Sequence, residues 1–373
     1  MVNRERILEE FLEMVRIDSP SGREKKMVVY LKEKLTGLGL EVVEDRAGEK
    51  LGTEAGNLVA TLPATDSRLP ALFFSAHLDT VESGCGIEPV VDGEVVRSAG
   101  DTILGGDDKA GIAAILEMLR VVQEEKLPHG VIQAVFTVME EQGLRGALHL
   151  DRSLLKAEMG FVLDCDGPPG TIIVRAPAQN KIEAFVVGKA AHAGIAPEEG
   201  INAIAVAAKA IASLPLGRID SETTANVGII EGGKAINIVP DMVRVLGEVR
   251  SLDGQKLDHY TQKIKEAFFR TAAEHGARAE VKVEFLYPSF SLKESDPPVA
   301  LAVRAARALG LEPVLKSSGG GSDANYFNHY GIPTANLGIG MSRVHTTDEY
   351  IKIADLEMSA RYLVEIVKTA AKK

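Results

Sequence analysis

The run Ala71-Leu72-Phe73-Phe74-Ser75-Ala76 constrains the fold most. It is bounded by Pro70 and by the polar group His77-Leu78-Asp79-Thr80, and it reads as a strand buried on both faces. Such a strand needs helices above and below it. Residues 131–138 and 160–163 repeat the pattern, and shorter strands fall at 40–44 and 57–62. Between them lie helical periodicities at 3–16, 24–38 and from Asp107 to before Pro128. Strands alternating with helices predict an α/β fold with an open mixed sheet, which binds ligands beyond the carboxyl ends of its strands. His77, Glu140 and Asp164 all fall at such ends. In 90–96, Asp92-Gly93 predicts a hairpin with a type I′ turn.

The pattern changes near Ala176-Pro177-Ala178. Strand 181–188, helix 201–214, strands 224–231 and 243–249, helix 255–275 and strand 280–286 follow, the β-α-β-β-α-β order of a ferredoxin-like unit. The first pattern then resumes with helix 298–309, the loop Gly319-Gly320-Gly321-Ser322-Asp323, strand 333–337 and a closing helix at 354–372. The expectation is a domain of residues 1–177 and 287–373 interrupted by an inserted domain at 178–286.

A net charge of −11 argues against nucleic acid or an anionic membrane as a partner. Two cysteines exclude a disulfide scaffold and a thiolate-ligated zinc site. With no signal-peptide pattern and no run of 18 apolar residues, the chain reads as cytoplasmic.

His77, Asp79, Asp107, Glu140, Glu141, Asp164 and His345 are the residues that could carry chemistry. His77 and Asp79 lie two apart, on one side of the pleat. Gly105-Gly106-Asp107-Asp108 directly precedes a helix, where free N–H groups and the dipole favour carboxylates. Taken singly, His77 also fits a hydrogen-bonded structural residue and the Asp pair a helix cap. Together, imidazoles and carboxylates without a thiolate suit zinc, cobalt or manganese. A two-metal site needs a bridging carboxylate, and a neighbouring glutamate can serve as base.

His77-Leu78-Asp79, Gly106-Asp107-Asp108-Lys109-Ala110-Gly111, Glu140-Glu141-Gln142-Gly143 and the late His345 resemble the motifs of the co-catalytic di-zinc exopeptidases, a family that includes aminoacylase, glutamate carboxypeptidase and peptidase T. The likeness covers essentially the whole chain, and Asp-Asp-Lys-Ala-Gly with Asp at 164 is most similar to the peptidase T (tripeptidase) branch. It implies hydrolysis of short peptides by two divalent metal ions, zinc above all. Asp107 would bridge the metals, with His77 and Asp164 on one and Glu141 and His345 on the other; Asp166 is the alternative to Asp164. Glu140 would activate the metal-bridging water, and Asp79 would hydrogen-bond the second nitrogen of His77. The resemblance also implies a cis Asp107–Asp108 peptide and an inserted domain acting as lid and homodimer contact. In that domain His192 would stabilise the oxyanion while Asn237 and Arg250 hold substrate, and Gly320 in the glycine loop would admit it closely. Without the resemblance, His192, the turn around Asn237 and Arg250 read as surface features.

Two rivals remain at this level. One is deacylation of N-acyl amino acids, or cleavage of a carbamoyl C–N bond, on the same metals. The other is a non-catalytic binding or assembly protein that keeps the fold. A serine hydrolase is disfavoured because Gly320-Gly321-Ser322-Asp323-Ala324 is not Gly-x-Ser-x-Gly, and no nucleotide-binding glycine motif occurs.

Overall fold

The computed structural model describes residues 1–372, and the chain divides into two compact units. One comprises Met1–Arg175, Ser291–Ser318 and the residues from Ser322 onward; the other comprises Ala176–Phe290 with Gly319–Gly321.

A nine-stranded mixed sheet forms the backbone of the first unit. Its order is Glu41–Glu44, Leu58–Leu62, Ile132–Thr137, Leu72–His77, Met159–Cys165, Thr334–Gly338, Thr171–Ala176 and Phe290–Ser291, with Val314–Ser317 also paired to Thr171–Ala176. Leu72–His77 runs parallel to both its neighbours, and Thr334–Gly338 runs parallel to Met159–Cys165. Four strands therefore end at the same edge of the sheet. Every residue of Leu72–His77 is buried, as its unbroken apolar run requires. The helix Gly106–Glu124 packs on that strand and is itself covered by Arg4–Val15 and Ile353–Ala370. Its small residues Ala110, Ala113 and Ala114, all fully buried, allow that close approach.

A small antiparallel sheet joins Pro89–Asp92, Val95–Ser98, Tyr350–Lys352 and Met341–Ser342 in that spatial order. Its strands Met341–Ser342 and Tyr350–Lys352 pair with each other, so they frame the loop that carries His345. Asp92 pairs with Val95, which places Gly93-Glu94 at the centre of the hairpin. Gly93 has φ +59° and Glu94 does not enter the left-handed region, so the expected type I′ turn on Asp92-Gly93 is not formed. The strands Thr171–Ala176 and Val314–Ser317 went unread in the sequence; both are short and neither alternates cleanly.

In the second unit the strand order is Gly217–Arg218, Thr223–Gly232, Met242–Ser251, Ala178–Val187 and Arg278–Tyr287, antiparallel throughout. Helices Ala203–Ala212 and Gly254–Glu274 close its core through Val206, Ala210, Ile264 and Phe268. This is the ferredoxin-like order plus one short edge strand. Among the described residues no helix is long and apolar enough to cross a membrane.

Register between two of the site-bearing strands depends on Gly160, which pairs with Phe73. A Cβ at Gly160 would lie 2.1 Å from the Phe73 ring, and that ring is fixed against Phe327 at a centroid distance of 4.5 Å. Gly160→Ala should therefore destabilise the chain by about 1–3 kcal/mol. The check is a lower denaturant midpoint at an unchanged slope.

Candidate active site

The sheet's edge assembles the site. His77 closes its strand, nearly fully buried, with Nε2 2.9 Å from Asp107 Oδ1. Its Nδ1 lies 2.9 Å from the main-chain oxygen of Asp79 and 3.5 Å from Asp79 Oδ1. The carbonyl is thus the closer acceptor, and it sets the tautomer with Nε2 directed at Asp107. Burial alone would lower the His77 pKa; hydrogen bonds to Asp107 and Asp79 outweigh it and hold the ring well above its ordinary value.

The Asp79 carboxylate has tasks beyond its approach to His77 Nδ1. Oδ1 accepts the N–H of Glu140 at 2.9 Å, while Oδ2 accepts the N–H of Glu141 at 3.2 Å and the Ser21 hydroxyl at 2.6 Å. It positions the Glu140-Glu141 backbone more directly than it positions the imidazole.

Asp107 stands where the chain enters the helix. Gly105 adopts φ +70°, Asp107 and Asp108 have non-helical angles, and the peptide between them is cis. Glu349, 1% exposed, fixes this segment: Oε2 accepts the N–H groups of Leu104 and Gly105 at 2.9 Å each, and Oε1 accepts that of Asp107 at 3.0 Å. Asp108 Oδ2 accepts the His77 N–H at 3.1 Å. Asp107 Oδ2 lies 3.2 Å from His345 Nε2, and Glu141 Oε1 lies 3.0 Å from the same nitrogen. Burial would raise the Asp107 carboxyl, but hydrogen bonds to His345 and His77 pull it below the usual carboxylate range. His345 is pushed up to about 10 by the Asp107 and Glu141 carboxylates.

Asp164 is locked to Asn336 by reciprocal hydrogen bonds of 3.0 and 2.7 Å. It joins the cluster, whereas Asp166 is exposed and lies in none of its donor groups. Three sets of donor atoms lie within 4.8 Å of one another: His77, Asp107 and Asp164; His77, Glu140 and Glu141; Asp107, Glu141 and His345. Asp107 belongs to two of them. Burial pushes Asp164 and Glu140 well above the usual carboxylate range, Asp107 adding to the first and Asp164 to the second. The ion pairs inside the cluster are those of His77 and His345. Crowded, buried carboxylates with two imidazoles fit divalent cations, whose charge offsets the repulsion.

The residues predicted in the inserted segment all lie in the second unit. His192 is exposed, bridges to Ile238, and accepts the Gly194 N–H on Nδ1 at 3.2 Å. Asn237 is exposed in the turn just before Ile238, and its carbonyl accepts the Ala193 N–H at 2.9 Å. The structure thus brings these two together. Arg250 is engaged as a fork, both contacts to Glu248 being 3.0 Å. Gly320 precedes Gly321, where a Cβ would lie 2.4 Å from the Tyr287 ring, so at Gly321 the missing side chain serves internal packing. Glu349 and Asp323 escaped the sequence reading. Asp323, 2% exposed and bonded to the Thr137 hydroxyl, is raised by burial to about 6. No spacing announces a carboxylate whose partners are main-chain N–H groups over two hundred residues away.

The chain belongs to peptidase family M20/M25/M40, whose pattern matches residues 73–369. It is 48% identical to the uncharacterized Bacillus subtilis protein YqjE over the full length of both. The structure of aminopeptidase PepT from Bacillus cereus is similar with a TM-score of 0.90 at 48% identity, covering all of both chains. A tripeptidase from Staphylococcus aureus gives a TM-score of 0.95 at 44% identity, again with complete coverage.

Glu349→Ala should free three N–H groups around Asp107 and weaken divalent-cation affinity by about 10–100-fold. Titration against a competing chelator reads this. Burial raises Glu349 and Glu24 to about 7 and Asp323 to about 6. The folded chain therefore holds protons that the unfolded chain has released above about pH 4. Metal-free stability should accordingly fall as pH rises from about 4 to 7, as denaturant midpoints across that range would show.

Proposed function

We propose that this protein is a di-metal exopeptidase of the tripeptidase/aminopeptidase type, acting on short peptides. The observation that carries the reading is Asp107, shared by two donor groups, with the buried Glu140 beside both. Asp107 would hold both ions, His77 and Asp164 the first, Glu141 and His345 the second, and zinc is the first choice for an imidazole–carboxylate set. When bound, the cations polarise the scissile carbonyl and acidify the attacking water. Glu140 accepts the water's proton on its carboxylate and returns it to the leaving amine, a task suited to a carboxyl raised by burial. Asp79 keeps the Glu140 and Glu141 N–H groups fixed while this proton moves.

His192 serves as the oxyanion donor in this reading, and Asn237 supports substrate beside it. Arg250 offers its guanidinium to a peptide carboxylate by exchanging out of its pairing with Glu248. Gly320 lets the substrate backbone approach. The second unit also exposes the apolar side chains of Ile229, Ile230, Met242 and Phe285, in keeping with a homodimer through this unit. Two free thiols are in keeping with a cytoplasmic location.

Chelated protein should be inactive and regain activity with zinc, cobalt or manganese. Assays against tripeptides, dipeptides and N-acyl amino acids decide the substrate class; preferential cleavage of N-acyl amino acids would replace the peptidase reading with a deacylase. Glu140→Ala should keep both metals and lose about 10²–10⁴ in kcat. Glu141→Ala should lose a metal, as elemental analysis of the two variants would show.

A further inference from the structure

The four consecutive N–H groups from Val138 to Glu141 are held by side chains distant in sequence. Asn57 Oδ1 accepts that of Val138 at 3.1 Å, Glu24 Oε1 that of Met139 at 3.0 Å, and Asp79 those of Glu140 and Glu141. Met139 sits at φ +51°, a conformation that non-glycine residues rarely adopt, immediately before Glu140. Its N–H is thus the last main-chain anchor ahead of the peptide that aims Glu140.

Among the described residues no cation pairs with Glu24. The residue is fully buried; its Oε1 also accepts the Gly22 N–H at 2.8 Å, and its Oε2 is buried with no hydrogen-bond partner. A buried carboxyl left half satisfied is costly. The loop bearing it is laced to the end of the His77 strand, the Thr80 N–H donating to Ser19 at 3.0 Å and the Ser21 N–H to Thr80 at 3.3 Å. Ser21 adds its hydroxyl to Asp79 Oδ2. One short loop therefore braces the Glu140-Glu141 turn twice, directly through Glu24 and indirectly through Ser21 and Asp79.

We infer that Glu24 is a positioning residue for Glu140, fixing the aim of the general base through the Met139 N–H. This rests on Glu140 being the base. What the geometry uses is the reach of the Glu24 side chain and one acceptor oxygen. Glutamine has both. Aspartate keeps the charge and is one methylene too short to reach Met139.

The test compares Glu24→Gln and Glu24→Asp in metal-loaded protein, with kcat, KM, metal content and thermal midpoint measured for each. Glu24→Gln should keep kcat within about threefold of wild type, whereas Glu24→Asp should lose about tenfold or more at a KM within about twofold and full metal content, the signature of a misaimed group. Wild-type kcat in Glu24→Asp would overturn the inference, as would a Gln variant more impaired than the Asp variant, which would indicate a role for charge. Parallel loss of metal in both would mark Glu24 as merely structural. Glu140→Ala, run alongside, separates the two levels: if it is inactive and Glu24→Asp is not, only the brace fails; if it turns over like wild type, the base assignment fails and takes the brace with it.

Discussion

Mutual repulsion among buried carboxylates is the constraint on which this site depends. Parallel strands ending at one edge bring His77, Glu140 and Asp164 to the same place, and the helix entry adds Asp107. Burial raises the Glu140 and Asp164 carboxyls and neighbouring carboxylates add to it, while the two imidazoles hold only Asp107 below its usual range. The strain of that arrangement is also its chemistry. A cluster short of positive charge favours divalent cations, and a glutamate raised by its surroundings can both accept and return a proton.

Other buried carboxylates serve the backbone. Glu349 gathers three N–H groups around Asp107, Asp79 two around Glu140-Glu141, and Glu24 one at Met139. Irregular segments at helix and strand ends leave N–H groups without ladder partners, and in a dry interior these must be satisfied. A carboxylate with two oxygens can satisfy several at once. The result is a site in which the irregular segments bearing Asp107, Glu140 and Glu141 are hydrogen-bonded through their N–H groups to carboxylates distant in sequence.

Much of this was legible in the residues. The apolar run from Ala71 to Ala76 became the buried strand Leu72–His77, and the β-α-β-β-α-β order reappears as the second unit's sheet. His77, Asp107, Glu141, Asp164 and His345 fall into donor groups around a shared Asp107. Strand periodicity puts Asp79 on the side of His77, and its Oδ1 lies 3.5 Å from Nδ1, but periodicity cannot say that the Asp79 carbonyl lies nearer still. Arg250 reads as a surface charge in sequence, and the structure pairs its guanidinium with Glu248, two residues earlier on the same face of its strand.

Local pattern by itself determined where the long, periodic strands and helices form and which residue types reach strand ends, because periodicity is a property of neighbouring residues. Tertiary structure alone set that Asp164 and not Asp166 falls in a donor group, that the Asp79 carbonyl lies nearer to His77 Nδ1 than its carboxylate does, and which distant oxygens hold the segment from Val138 to Glu141. Those choices turn on ångström-scale distances between residues tens to hundreds of positions apart. Such distances exist only once the sheet has set its register.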